Sequence, residues 1–143
     1  MKISVACDHG SFDFNGELKA WLEKQGHEVI DCGTTNKESC DYPDFGFLAC
    51  KKVQGNESER AILSCTNGIG MSMVANKCSG IRAALVYNER TAQRTREHHN
   101  SNVLCLGAQE FSTEELLKMV EVWLATEFEG GRHERRVSKF PTI

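Results

Sequence analysis

The stretch AILSCTNGIGMSMVANK, residues 61–77, decides how the chain folds. A short apolar run ends at Cys65, and glycine-rich backbone follows at once. Apolar strand, tight turn and helix in immediate succession form the unit from which parallel sheets with covering helices are built. The thiol therefore stands at the lip of a strand, directly before a turn able to expose its N–H groups.

Working outward, KISVAC (2–7), RAILSC (60–65), IRAALVY (81–87) and VLCLG (103–107) are nearly continuous in apolar residues. Such runs suit strands of a parallel sheet buried on both faces. HEVIDCG (27–33) alternates more and predicts a strand nearer an edge. Helical patterns fall between them. Phe14, Leu18, Trp21 and Leu22 form one apolar stripe within 13–25, stopped at Gly26. Pro43 opens a helix over 43–54, and a third helix runs from about Met71 to Lys77. Asn88 caps a polar helix, ERTAQRTRE. Ser112 and Glu115 have capping-box spacing at the head of the last long helix, which carries Leu116, Val120, Trp123 and Leu124.

Strand–helix alternation repeated five times predicts an α/β fold with a doubly wound five-stranded parallel sheet, a flavodoxin-like or Rossmann-like three-layer sandwich. Right-handed crossovers leave few strand orders, and 2-1-3-4-5 is the simplest. In that order the chain reverses between strands one and three, and ligands are expected there, at the carboxyl ends of the strands.

A chain of 143 residues is long enough for one domain with a proper core, and nothing divides residues 1–143. A net charge of −3 gives no reason to expect nucleic acid as a partner. No apolar run approaches the ~18–20 residues that cross a bilayer, so no membrane partner is expected. MKISVACDHG enters a strand pattern without a leader segment. The seven cysteines, at 7, 32, 40, 50, 65, 78 and 105, are odd in number and form no C-x-x-C pair. Free thiols in a reducing cytoplasm fit this pattern, and no metal site is expected.

The first strand ends in CDHG and the third in SCTNGIG. The proposed order sets Asp8, His9 and Cys65 in one crevice with the N–H groups of residues 66–70. Gly68 and Gly70 allow the backbone to turn those groups inward at a helix N-terminus, a setting that favours negative charge and makes a thiolate accessible at Cys65. A tight turn beside a small buried thiol is the plainer alternative. Established loops fail here. There is no G-K-[ST] for a Walker loop, Met73 stands where a dinucleotide fingerprint needs glycine, and Met71 where a phosphatase loop needs arginine. Leu63 and Asn67 occupy the glycine positions of a nucleophile elbow. The thiol therefore reads as a proton carrier rather than a covalent nucleophile.

In REHHNSN (96–102), His98 and His99 fall near a helix C-terminus, where an imidazolium is electrostatically favoured. A solvated cap is the alternative. In EGGRHERRVSKF (129–140), Arg132 and Arg136 share a face if the tail is helical and can then clamp an anion. A solvated basic tail remains open.

Taken together and in this order, CDHG, DYPDFG (41–46), SCTNGIGMSMVANK, GIRAAL (80–85), REHHNSNVLCLG (96–107) and EGGRHERRV (129–137) resemble the ribose-5-phosphate isomerase B family, which includes the galactose-6-phosphate isomerase subunits. The resemblance covers essentially the whole chain. It implies an aldose–ketose isomerase of phosphorylated sugars that uses neither metal nor cofactor. It also implies a homodimer or homotetramer whose active sites are shared between subunits. Position by position, it makes Cys65 the base that moves a proton between C2 and C1, and His98 the residue that opens the sugar ring. Asp8 and Tyr42 would contact the sugar, and His9 the phosphate. Thr66, Gly68, Ile69 and Gly70 would form the anion hole around the enediolate, with Asn76 in the helix that follows. Arg132 and Arg136, in a carboxyl-terminal arm over 129–143, would bind phosphate or serve the dimer.

Three positions depart from the family pattern. Thr66-Asn67 stands where Gly-Thr is usual, so a catalytic hydroxyl becomes the carboxamide of Asn67, able to donate hydrogen bonds but a poor acid or base. His98-His99 replaces His-Asn, which puts His99 on the substrate. Gln109 occupies the place of an arginine. All three bear on the substrate end, and so on which sugar is used rather than on the reaction class; ribose 5-phosphate and ribulose 5-phosphate form the default pair that the resemblance implies. A six-carbon sugar phosphate, allose or galactose 6-phosphate, is the alternative substrate, and a non-catalytic sugar-phosphate-binding subunit the alternative role. A nucleotide-binding module lacks any fingerprint.

Overall fold

The continuous apolar runs become the middle of a five-stranded parallel sheet. The computed structural model describes residues 1–142. Its strands are β1 (Lys2–Cys7), β2 (Glu28–Asp31), β3 (Arg60–Cys65), β4 (Ala83–Leu85) and β5 (Val103–Gly107). Its helices are α1 (Phe12–Lys24), α2 (Tyr42–Gln54), α3 (Ile69–Ala75), α4 (Glu89–His99), α5 (Thr113–Ala125) and α6 (Arg132–Val137), with a 3₁₀ turn at His9–Ser11. The caps read from sequence are present. Asn88 accepts from the Thr91 N–H at 2.7 Å, and Ser112 from the Glu115 N–H at 3.2 Å.

The sheet order is β2-β1-β3-β5-β4, which corrects the expected 2-1-3-4-5. Burial explains the exchange of the last two strands. All five residues of β5 are buried, so it belongs inside the sheet. The run 81–87, expected to be a full buried strand, pairs only over the three half-buried residues of β4, which suits an edge. The expected reversal between β1 and β3 is retained, since β1 pairs with β2 on one side and β3 on the other.

Alternation along the strands divides the interior into two layers. Ile3, Val5, Ile62 and Leu104 point towards α1, α4 and α5, where Leu18, Leu22, Ala92, Leu116 and Trp123 meet them. Ala6, Leu63, Cys65 and Cys105 point the other way, towards Ala49 and Cys50 of α2 and Met71 and Ala75 of α3. Because β4 lies outside β5, α4 packs in the α1/α5 layer, away from α2 and α3. That placement governs the site.

All seven cysteines are free thiols. Burial pushes the thiols of Cys7 and Cys50 up to about 12, where thiolate chemistry is suppressed. No helix among the described residues is long and apolar enough to cross a membrane.

Candidate functional site

At the carboxyl ends of β1 and β3 the expected group assembles. Cys7 is opposite Ser64 in the sheet, so Asp8 leaves β1 beside Cys65. Asp8 is buried, and its Oδ1 accepts from the Gly10 N–H at 3.0 Å and the Ser11 hydroxyl at 3.3 Å. The Ser11 hydroxyl also lies 2.8 Å from the Ser64 carbonyl, an acceptor on the neighbouring strand. Among the described residues nothing donates to Asp8 Oδ2. His9 is exposed, and its Nδ1 accepts from the Cys40 N–H at 3.2 Å. An accepting Nδ1 requires the proton of a neutral ring to sit on Nε2.

Cys65 is 4% exposed, and its Sγ accepts from the Gly68 N–H at 3.2 Å. The thiol thus faces the loop rather than turning from it. Gly68 has φ +80, and a Cβ there would lie 2.8 Å from the Leu106 carbonyl carbon, so only glycine fits. Of the expected ring of donors, two are already engaged. Gly68 N–H serves the sulfur, and Ile69 N–H donates to Asn67 Oδ1 at 3.0 Å. The first-turn N–H groups of Gly70 and Met71 have no intrahelical acceptor and remain for a ligand. Tyr42 sits against this turn, so close that a Cβ on Gly70 would come within 2.7 Å of its hydroxyl.

Two of the three departing positions converge on one residue. Gln109 Nε2 donates to the Gly10 carbonyl at 3.0 Å, and Thr66 Oγ1 would lie 2.6 Å from a Cβ on Gly10. Together they fasten the Asp8–His9 turn to the Cys65 loop.

The remaining expected residues gather elsewhere. His98, His99, Arg132, His133, Arg136, Val137 and Phe140 line a cavity of about 250 Å³ at the end of α4. The tail is helical as α6, so Arg132 and Arg136 do share a face. Gly130 and Gly131 turn the chain so that the His133 ring stacks on His98, with centroids 4.2 Å apart and planes at 10°. Burial holds the His133 imidazole below its ordinary range, helped by the charges of His98, Arg132 and Arg136. His99 is lowered by burial and by His98, and its Nδ1 lies 3.3 Å from the Thr95 hydroxyl. Beneath them Arg96 reaches the Thr126 carbonyl at 3.2 Å and Asn100 Oδ1 at 3.0 Å. Burial and the nearby Arg60 and Arg82 push its guanidinium down to about 10.

Asn76, expected beside the substrate, also lies away from Cys65. Its Nδ2 donates to the Ser72 and Ala83 carbonyls at 3.0 Å, and its Oδ1 accepts from the Ala83 N–H at 2.9 Å. Its carboxamide is committed to joining α3 to β4. His133 and Glu129 are not singled out by the sequence alone. The signal available was their place in EGGRHERRV, on the turn that aims Arg132 and Arg136.

The two groups stand apart within one chain. Cys65 pairs with Gly107 at the end of β5, whereas His98 and His99 precede Val103 at its beginning. Four residue steps separate those ends by ~13 Å. They also differ in layer, since Cys65 faces α2 and α3 while α4 packs with α5.

Comparison with known proteins agrees with the architecture. A family model described as Ribose/Galactose Isomerase matches residues 3–140. The chain is 39% identical over 142 residues to the ribose-5-phosphate isomerase B of Escherichia coli (strain K12), covering 99% of this chain and 95% of that one. The ribose-5-phosphate isomerase B structure from Clostridium thermocellum superposes with a TM-score of 0.96 at 45% identity, covering 97% of this chain and 94% of that one. The structure of the Mycoplasma genitalium enzyme with bound ribulose-5-phosphate gives 0.93 at 40% identity, over 96% of this chain and 92% of that one.

Proposed function

Since the chain belongs to the ribose/galactose isomerase family, we propose that it is an aldose–ketose isomerase of phosphorylated sugars, interconverting ribose 5-phosphate and ribulose 5-phosphate. The observation that carries this reading is the Cys65 thiol, which meets the Gly68 N–H at 3.2 Å where the loop opens into α3.

Proton removal at C2 of an aldose produces an enediolate, and its oxygen charge must be met by fixed donors. One such donor is typically worth ~2.7–4 kcal/mol. Cys65 takes the C2 proton and returns it to C1. The N–H groups of Gly70 and Met71 face the developing charge, and the Asn67 amide adds a donor while its carbonyl stays on Ile69. Thr66, Gly68, Ile69 and Gly70 shape the hole, and Asp8 and Tyr42 hold the sugar hydroxyls. His9 offers an N–H to the phosphate. The five-carbon pair is favoured because the Mycoplasma genitalium relative, 40% identical, has ribulose-5-phosphate bound.

The other half of the site comes from a second copy. His98 opens the ring, His99 meets the substrate, and Arg132 and Arg136 clamp the phosphate from the arm over 129–143. Phosphate binding energy then holds the open-chain sugar for reaction. Phe47 and Leu48 of α2 and Ile69 and Met73 of α3 are 45–65% exposed in the layer that carries Cys65. Exposed apolar side chains of that number are what a partner subunit covers. Free thiols throughout suit the cytoplasm as the place of work.

A coupled assay across pentose and hexose phosphates tests the reading. Ribose 5-phosphate should be the best substrate. Cys65→Ala should lose turnover by ~10²–10⁴-fold yet still bind a sugar-phosphate analogue. A folded, oligomeric protein that turns over none of the panel would instead be a binding subunit.

A further inference from the structure

His98 has two neighbours that the proposed chemistry has not used. Glu129 Oε1 lies 3.8 Å from His98 Nε2, and the His133 ring covers one face of the imidazole. Both neighbours are anchored through their backbone, and the Glu129 carboxylate is half-exposed. The Glu129 N–H donates to the Glu97 carbonyl at 3.1 Å, which ties residue 129 to the last turn of α4. His133 is 6% exposed, its N–H donates to the Gly130 carbonyl at 3.1 Å, and its buried Nε2 has no partner among the described residues. His99 meets His98 edge-on at 6.1 Å, and Arg132 and Arg136 line the same cavity.

Ligand atoms of His98, Glu129 and His133 lie within 4.8 Å of one another, which raises the question of a metal. Two features oppose it. The stacked rings keep their in-plane lone pairs in two nearly parallel planes, with centroids 4.2 Å apart, which disfavours a shared ion, and the two arginines repel a cation. The cluster is better suited to holding a proton.

We propose that Glu129 is a positioning residue for His98, with His133 as the plate that fixes the plane of the ring. The inference rests on the reading of His98 as the group that opens the sugar. Opening a furanose breaks the C1–O4 bond, removes one proton from the O1 hydroxyl and delivers one to O4, with no change of oxidation state. A histidine relaying that proton passes through an imidazolium. Glu129 is the only carboxylate in ion-pair range of His98 among the described residues, and its charge stabilises that cation. Arg132 and Arg136 would otherwise disfavour it. A neutral His133 can stack on the ring without adding another charge.

The two sugars of the reaction provide the test, because only one of them closes into a ring. Ribose 5-phosphate cyclises through O4, whereas ribulose 5-phosphate has its ring-forming O5 blocked by phosphate and stays open. Glu129→Gln should therefore lose at least about tenfold in kcat with ribose 5-phosphate and stay within about twofold of wild type with ribulose 5-phosphate. At high enzyme concentration its forward rate should level off at that of spontaneous ring opening. Glu129→Asp should recover part of the loss. Equal loss in both directions, or none in either, from an otherwise active enzyme overturns the role of Glu129 alone. A wild-type protein inactive on both sugars overturns the isomerase reading, and this inference falls with it.

Discussion

The two ends of the sheet are built by different means. At the carboxyl end the working atoms belong to strand ends and to backbone, namely a thiol, a carboxylate and N–H groups fixed by a left-handed glycine. At the amino end they belong to long side chains on the last turn of α4 and on α6, held by ring stacking and a buried arginine. The first end can steady a small developing charge with little reorganisation, and the second can grip a phosphate and relay a proton. Neither does the work of the other, and one chain does not join them. On the shared-site reading, the proton carrier at one end meets the ring-opening and phosphate-gripping groups of the other only when two protomers assemble.

That division can be broken directly. Cys65→Ala and Arg132→Ala should each be nearly inactive as pure proteins. Mixed by refolding, they should regain on the order of a quarter of wild-type activity, since half of the random dimers carry one intact site of two. No recovery from well-mixed dimers would mean that the halves are not shared.

A smaller effect sharpens the carboxyl end. Gly68→Ala forces a side chain into φ +80 and against the Leu106 carbonyl carbon, at a cost of ~1–3 kcal/mol. The melting midpoint should drop by several degrees, and turnover should fall further than stability does, because the Gly68 N–H would leave the sulfur.

The smallest effect belongs to the amino end. His133 is held below its ordinary range in the fold, so the unfolded chain takes up a proton first as pH falls. Its contribution is fully present above about pH 6.5 and is lost as the pH falls from there through the lower value of the folded state. The fall in melting midpoint between about pH 7.5 and 5.5 should be smaller in His133→Phe than in wild type. An unchanged difference would place the titration elsewhere, with His99 and His27, both also lowered, the next to examine.

The carboxyl end was the more legible of the two in the sequence, for a physical reason. Cys65 and Asp8 end uninterrupted apolar runs, so their place follows from strand length alone. The order of β4 and β5 was not legible, because crossover handedness admits both arrangements and only burial separates them. IRAALVY reads as a core strand by composition, yet Tyr87 is 60% exposed and only three residues pair. Asn76 illustrates a second limit, since a carboxamide beside a glycine-rich turn looks the same whether it meets a ligand or bridges Ala83. Glu129 and His133 acquire a role only when a Gly-Gly turn folds them back onto α4, a tertiary event that no local pattern records.

The inward seat of β5 has a further consequence. By carrying α4 across to the far layer, it sets His98 and His99 at the opposite tip of the protomer from Cys65. On the shared-site reading, a lesion in the contact between copies would silence the catalyst at dilution while every protomer remained intact, so loss of partnership would be felt as slow turnover well before it was felt as unfolding.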